Sequence, residues 1–129
     1  MIAVIDTNIL VSALWKPVSN ASLLISNVIS GNIKPCYDYR IIEEYRDVLN
    51  RPKFHFSGIQ VEYLLDVFIQ DGISVIPKPI PDARIIDEDD RAFYEVAKFC
   101  NAPLVTGNIR HFPEDACIMN LKTFCDRFL

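Results

Sequence analysis

The sequence predicts an α/β fold in which helices cover both faces of a parallel β-sheet. Short apolar runs alternate with longer amphipathic segments along the whole chain. The short runs carry apolar residues at consecutive positions, which is typical of strands buried on both faces. The 129 residues are 50% hydrophobic and 23% charged, and neither a linker nor an internal repeat divides them. We therefore expect one domain over residues 1–129.

The first part of the chain predicts two strands and four helical segments. Pro17, Gly31, Pro52 and Gly72 lie beyond the ends of those helical segments, where residues that stop a helix are common. In chain order we predict a strand at 2–5, a helical or turn-like segment at 7–15, a helix at 19–30, a strand at 34–37, and helices at 38–50 and 60–70.

The remainder of the chain predicts three more strands and two helices. Prolines at 77, 79 and 81 indicate an extended connection. In order we predict a strand at 73–76, a helix at 87–100, a strand at 104–106 before a Thr-Gly turn, a strand at 117–119 and a C-terminal helix. In parallel sheets of this kind, ligands bind at the carboxyl ends of the strands. We therefore expect the chemistry directly after Ile5 and Thr106.

Composition and charge exclude several classes of protein. No apolar run approaches the length of a membrane span, and the first residues lack the basic start of a signal peptide, so we expect a cytoplasmic protein with no membrane partner. The four cysteines form no Cys-x-x-Cys pair and lie far from both histidines, which favours reduced thiols over a zinc site. The net charge of −4 argues against tight, general binding to duplex DNA.

Two acidic residues occupy positions where a carboxylate is unusual. Asp6 directly follows the first predicted strand, and its alternative role is to cap the next helix. Glu44 shares the helical face of Ile41 and Val48, whereas Glu43 points away. A carboxylate on an inward face needs a cation, hydrogen bonds or a proton. A partner Arg or Lys is the alternative to a metal ion.

A third acidic region spans residues 82–90, where five of nine residues are Asp or Glu. Asp90 extends the buried face of the helix that carries Phe93 and Ala97, whereas Asp89 is expected to point outward. Asp87 at an N-cap and Asp90 as a surface acid near the helix dipole are the alternatives. Carboxylates that converge from different segments repel one another, and a hard divalent cation such as magnesium relieves that repulsion.

Four motifs in order resemble the PIN-domain family, most closely the branch described as toxins of toxin–antitoxin systems. They are VIDTNIL at 4–10, IIEEYRDVLNRPKF at 41–54, DEDDRAFYEVA at 87–97 and LVTGNIRHFP at 104–113. The resemblance implies a single-domain α/β/α sandwich with a central parallel sheet and the activity of a metal-dependent ribonuclease. By motif position, Asp6, Glu44 and Asp90 match three acids that hold the metal. The family's fourth acid is replaced by Asn108, which we include among the catalytic candidates.

The turn that contains Asn108 carries further polar residues. Thr106 and Asn8 match small polar residues that orient the site in similar proteins. Arg110 and His111 follow the turn, and they are expected either to contact substrate phosphates or to be solvated.

The resemblance also implies cofactors and partners. The expected cofactor is Mg²⁺ or Mn²⁺, which would activate water for attack on an RNA phosphodiester. The expected partners are an RNA substrate and an antitoxin protein whose tail blocks the acidic cleft, with a homodimer as a further assembly. The acidic net charge favours single-stranded or loop RNA as the substrate.

Two other functions stay open from the residues alone. A non-catalytic PIN-like module that binds RNA or protein is favoured by the neutral Asn108. A phosphatase of the haloacid-dehalogenase type also carries an aspartate after its first strand. Such a phosphatase needs a second acid two positions later, where this chain has Asn8.

One stretch alternates basic and aromatic residues. Arg51, Lys53 and His55 interleave with Phe54 and Phe56. We favour a loop whose aromatic side chains pack into the core. The alternative is a surface that steers a phosphate backbone and stacks a base.

Overall fold

The computed structural model describes residues 1–129 and contains one five-stranded sheet. The sheet is parallel throughout, and its strands lie in the order β3-β2-β1-β4-β5. The strands are β1 (Ile2–Ile5), β2 (Lys34–Tyr37), β3 (Ile73–Ser74), β4 (Leu104–Val105) and β5 (Ile118–Met119). The helices are α1 (Thr7–Trp15), α2 (Asn20–Ile29), α3 (Tyr39–Leu49), α4 (Gly58–Asp71), α5 (Arg91–Cys100) and α6 (Leu121–Phe128). The predicted α/β fold with a parallel sheet is confirmed.

The strand order places the start of the chain at the middle of the sheet. From β1 the chain builds outward through β2 and β3, and then returns to add β4 and β5 on the other side. The order therefore reverses between β1 and β4, whose residues pair as Val4 with Leu104 and Ile5 with Val105. At such a reversal the connections leave in opposite directions and open a crevice at the carboxyl ends of the two strands.

The central strand is buried on both faces, as its continuous apolar run predicts. Ala3, Val4 and Ile5 are fully buried. The α3 helix packs onto the end of this strand, because the buried hydroxyl of Tyr45 donates a hydrogen bond to the carbonyl oxygen of Ile5. The Tyr45 ring also packs edge-on against Phe68 of α4, with ring centroids 5.4 Å apart.

Seven predicted elements differ from the structure at their ends, six of them by one or two residues. The strand predicted at 73–76 ends at Ser74; the amide of Val75 still bonds to the Tyr37 carbonyl, but Pro77 has no amide to continue the ladder. The strand predicted at 104–106 ends at Val105, where the chain enters the Thr-Gly turn. The helix predicted at 87–100 begins with a separate 3-10 turn, Glu88–Asp90, before α5. Two further 3-10 turns span Pro52–Phe54 and Ile109–His111.

A buried ionic network, which local sequence patterns do not indicate, holds the proline-rich connection between β3 and α5. Arg40 bridges the buried carboxylates of Asp38 and Glu95 at 2.7 and 2.9 Å. The other oxygen of Glu95 accepts a hydrogen bond from the backbone amide of Ile80 at 2.6 Å. Arg91 donates to the Ile80 carbonyl at 2.7 Å. The connection is thereby fixed to α3 and α5 beside the sheet.

The cysteines form no disulfide. Cys36 and Cys125 are buried, and Cys100 and Cys117 are half-buried. No helix by itself is long and apolar enough to cross a membrane; α1 and α2 together meet the length and composition criteria, but the chain bends by 103° between them.

Candidate active site

Asp6 lies at the end of β1, in the crevice that the strand order creates. Its side chain is buried, with 5% of the residue exposed. One carboxylate oxygen accepts a hydrogen bond from the backbone amide of Thr7 at 2.8 Å, and the other accepts one from Thr106 Oγ1 at 2.6 Å. Burial raises the pKa of Asp6, while these two bonds act in the opposite direction. Asp6 therefore caps α1, as its alternative role requires, and also presents a partly desolvated carboxylate at the predicted edge.

The Thr-Gly turn after β4 is held against Asp6. The fully buried hydroxyl of Thr106 donates to Asp6 and accepts a hydrogen bond from the backbone amide of Asn108 at 2.9 Å. The carbonyl oxygen of the Asn8 side chain lies 3.5 Å from the amide of Gly107. A Cβ atom at Gly107 would stand only 3.0 Å from the Asn8 amide nitrogen, so a larger residue would require the Asn8 side chain to shift. Thr106, which matches a residue that orients the site in similar proteins, therefore contacts Asp6 directly.

Asp90 lies at the junction of the Glu88–Asp90 turn and α5. Its side chain is 16% exposed and stands 3.2 Å from Nδ1 of His111. Burial, followed by the negative charge of Asp6, raises the pKa of Asp90 to about 6, although His111 opposes this rise. Asp90 therefore carries a charge that its surroundings do not fully compensate. His111 contacts it from the 3-10 turn that follows the Thr-Gly turn.

Glu44 is half-buried on α3, whereas Glu43 is exposed, as the helical periodicity predicts. Glu44 makes no hydrogen bond and no ion pair, so the alternative of a partner Arg or Lys is wrong. The nearby guanidinium of Arg51 pairs instead with Asp47 at 3.1 Å. Burial, followed by the negative charge of Asp89, raises the pKa of Glu44. Negative charge on Asp90 contributes in the same direction.

The three predicted metal ligands interact electrostatically without forming a finished coordination site. The charge of Asp6 acts on Asp90, and the charge of Asp90 acts on Glu44. No group of three Asp, Glu, His or Cys side chains is arranged to hold a metal ion. A shared cation at Asp6, Glu44 and Asp90 stays a prediction, and it requires these side chains to move closer together.

Comparison with known protein families identifies the family of the chain. The sequence profile described as PIN domain matches residues 3–110. The chain belongs to the PIN-domain family. Neither a curated protein nor a solved structure matched the chain. PIN domains are generally nucleases, often ribonucleases, and they typically use divalent metal ions. Asp6, Glu44, Asp90 and Asn108 all lie within the matched residues.

Three polar residues lie next to the predicted metal ligands of this PIN domain: Asn108, Asp87 and Asp89. Asn108 is exposed, and only its backbone amide bonds to the site. Asp87 accepts a hydrogen bond from the amide of Asp89 at 3.1 Å, which confirms its alternative role as an N-cap. Asp89 is exposed as predicted.

Sequence reasoning missed two features of the PIN-domain site. One is an acidic recess of about 330 Å³ beside Glu44, lined by Arg40, Glu43, Glu44, Asp47, Glu88, Asp89 and Ala92. The run of acids at 87–90 was its only local signal. The other is the hydroxyl of Thr7, next to Asp6, which is the buried side-chain polar atom without a hydrogen-bond partner. Leaving such a group without a partner costs free energy.

Proposed function

We propose that this PIN domain is a Mg²⁺- or Mn²⁺-dependent endoribonuclease and the toxin of a toxin–antitoxin pair. The observation that carries the proposal is that Asp6, at the carboxyl end of the sheet, is close enough to Asp90 for its charge to act on that carboxylate. These two carboxylates come from elements 84 residues apart. They are desolvated together, so that the pKa of Asp90 rises to about 6. Two acids held in this way form a site that favours a cation.

The chemistry of the donor set fits a hard divalent cation. Asp6, Glu44 and Asp90 would hold it, since each offers carboxylate oxygen and Glu44 has no other partner. When bound, a divalent ion activates water and neutralises charge on a phosphate. The unpartnered hydroxyl of Thr7 supports a hydrated site, because a nearby water would satisfy it.

The surrounding residues position the acids. Thr106 and the amide of Thr7 keep both oxygens of Asp6 in fixed orientations. His111 holds Asp90 from the turn that follows β4. Arg110 is exposed on the same turn, where it can meet a substrate phosphate.

The expected substrate is single-stranded or loop RNA, and the expected partner is an antitoxin whose tail enters the acidic cleft. The net charge of −4 supports a substrate that needs few phosphate contacts. Assembly with a second copy of the chain and a cytoplasmic location complete the proposal. The motif resemblance described above supports the antitoxin and the toxin role.

The test is cleavage of end-labelled RNA by the purified protein in Mg²⁺, in Mn²⁺ and in chelator. We expect cleavage only with metal, loss of cleavage in Asp6→Asn, and full activity in Asp71→Asn, which removes the same charge from an exposed position on α4. Single-stranded RNA should be cleaved faster than duplex DNA. Equal cleavage of duplex DNA and structured RNA would contradict the proposed substrate.

A non-catalytic binding module is the second candidate function. The neutral, exposed Asn108 favours it, because a site with one charge fewer binds a divalent ion more weakly. Calorimetry with Mn²⁺ separates the two functions. Absence of both metal binding and RNA cleavage would support the binding module.

A further inference from the structure

We propose that Trp15, Phe54 and Phe56, with the cations Lys16 and Lys53, form a surface that binds single-stranded RNA beside the active site. We call these five residues the aromatic–basic surface. The inference rests on the proposed function, since it names the part of the protein that the RNA strand follows as it leaves the acids.

The aromatic rings form an ordered cluster that remains accessible. The rings of Phe54 and Phe56 stack with centroids 5.3 Å apart and an angle of 6° between their planes. His55 between them adopts a left-handed backbone conformation with φ of 55°. The ring of Trp15 stands edge-on to both, at 5.8 and 6.3 Å.

Exposure makes Trp15 available to a ligand. The residue is 58% exposed, although its ring is held in place by the two half-buried phenylalanines. Phe56 packs against the core, whereas Phe54 does not. The expectation that both rings pack into the core therefore holds for Phe56 only. A rigid, exposed indole is the kind of surface on which a nucleic-acid base stacks.

The chain segments that carry the rings contain basic residues and no acidic ones, although the protein as a whole is acidic. Lys16, Lys53 and His55 are exposed and form no ion pair. The ammonium of Lys53 lies 5.1 Å from the centroid of the Phe54 ring. The chain contains 17 acidic residues, but none between positions 7 and 37 and none between positions 48 and 61. Unpaired cations interleaved with aromatic rings complement phosphates and bases together, which favours single-stranded RNA over a protein segment.

The surface is also close enough to the acids to hold the same strand. The α1 helix begins directly after Asp6 and ends at Trp15, so its nine residues separate the two by about 14 Å. The α3 helix carries Glu44 and ends at Leu49, shortly before Lys53. Because α1 and α3 pack together, both helices run from the acids to the aromatic–basic surface. A strand of a few nucleotides spans this distance.

The test uses the fluorescence of Trp15, the only tryptophan in the chain. We titrate the full protein with a roughly 12-nucleotide single-stranded RNA of mixed sequence, in chelator so that no cleavage occurs. We expect a saturable change in fluorescence. In parallel, anisotropy of the end-labelled RNA should show that Trp15→Ala weakens binding by about 5-fold or more. Phe99→Ala, which removes a ring that is 52% exposed on α5, should leave the affinity unchanged.

A lysine variant tests the surface while all three rings remain present. Lys53→Gln should reduce the slope of log K against log salt by about 0.7, the share of one phosphate contact on a single strand. Lys78→Gln removes an exposed cation far along the chain and should leave the slope unchanged. If Trp15→Ala fails to fold, as judged by circular dichroism, the lysine pair decides the result.

The outcomes separate this inference from the proposed function. Saturation with RNA that leaves Trp15 fluorescence unchanged would overturn the inference. So would equal affinity of folded Trp15→Ala and the unaltered protein. RNA binding at Trp15 without metal-dependent cleavage would overturn the ribonuclease and leave the inference standing. Cleavage whose KM does not respond to Trp15→Ala would leave the ribonuclease and overturn the inference.

Discussion

Replacing Thr106 by Val removes the hydroxyl that links the Thr-Gly turn to Asp6 and keeps the side-chain volume nearly constant. That hydroxyl donates to the Asp6 carboxylate at 2.6 Å and accepts from the amide of Asn108 at 2.9 Å. Thr106 is fully buried and Asp6 nearly so. The substitution therefore leaves one oxygen of a buried carboxylate without its donor.

The expected loss of folding stability is worked out from the two hydrogen bonds that Thr106→Val removes. A bond to a charged group contributes about 1.5–3 kcal/mol, and a neutral bond contributes about 0.5–1.5 kcal/mol. Asn108 is exposed, so in the variant its backbone amide can bond to water in place of the Thr106 hydroxyl. We expect the free energy of unfolding to fall by about 2–3 kcal/mol at about pH 8, well above the ordinary pKa of a carboxyl group.

The loss should depend on pH in a defined direction. The pKa of Asp6 is higher in the folded protein than in the unfolded chain, so protonation stabilises the fold as the pH falls toward the unfolded value. The bond from Thr106 lowers this pKa. In Thr106→Val, which lacks that bond, the pKa of Asp6 rises further. Acidification therefore raises the free energy of unfolding more in the variant than in the unaltered protein. The difference in the free energy of unfolding between the variant and the unaltered protein should therefore shrink to about 1 kcal/mol at low pH.

The measurement is urea unfolding without metal, followed by circular dichroism at about pH 8 and about pH 4. Thr7→Val is the matched control, because it removes a buried hydroxyl that has no partner beside the same carboxylate. It should be neutral or stabilise the protein by up to about 1 kcal/mol. A loss below about 0.5 kcal/mol for Thr106→Val, or an equal loss at both pH values, would refute the reasoning.

Four substitutions test the acids and the buried ionic network. Asn108→Asp should bind Mn²⁺ at least about tenfold more tightly in calorimetry, because it adds a charge near the cation, whereas Asp6→Asn should abolish binding. Asp90→Asn should stabilise the metal-free protein by about 1–2 kcal/mol at about pH 8, since the pKa of Asp90 is raised to about 6, and the difference should vanish near pH 4 in urea unfolding. Glu95→Gln should lower the free energy of unfolding by about 2–4 kcal/mol, because it removes the charge that pairs with Arg40.

Each of these expectations has a contradicting result. If Asn108→Asp binds Mn²⁺ no better, position 108 does not face the metal. If Asp90→Asn destabilises the metal-free protein at high pH, the carboxylate of Asp90 is compensated after all. Glu62→Gln, which breaks an exposed pair with Arg46, is the control for Glu95→Gln and should cost less than about 1 kcal/mol. An equal effect of both would mean that the buried network contributes no more than a surface pair.

The kind and order of the elements, and the place of the site, could be predicted from local patterns. Consecutive apolar residues at 2–5 indicate a strand buried on both faces, and a parallel sheet brings its carboxyl end to the site. The strand pattern alone therefore predicts that Asp6 and Thr106 lie at the same edge of the sheet. The helical repeat of 3.6 residues predicts that Glu44 faces inward and Glu43 outward. In the structure Glu44 is half-buried and Glu43 is exposed, as this repeat predicts.

Strand ends and the partners of the acids depended on contacts between distant parts of the chain. The strand at Ile73 is two residues long because its partner β2 ends at Tyr37 and Pro77 follows soon after. His111 meets Asp90 across 21 residues, with no periodic pattern between them. The salt bridge between Arg40 and Glu95 joins residues 55 apart in the same way.

The sequence by itself determined which residues form each element and which face of that element is apolar, because these properties arise between residues a few positions apart. Only the tertiary structure decided which faces meet. Trp15 and Phe54 are 39 positions apart, and their contact exists because α1 and α3 pack side by side. Glu44 likewise has no ion-pair partner, and the packing of α5 on β1 brings Asp90 close enough to Asp6 for their charges to interact. Burial and charge at a site are sums over neighbours from several segments, so they follow from the assembled fold and not from any one segment.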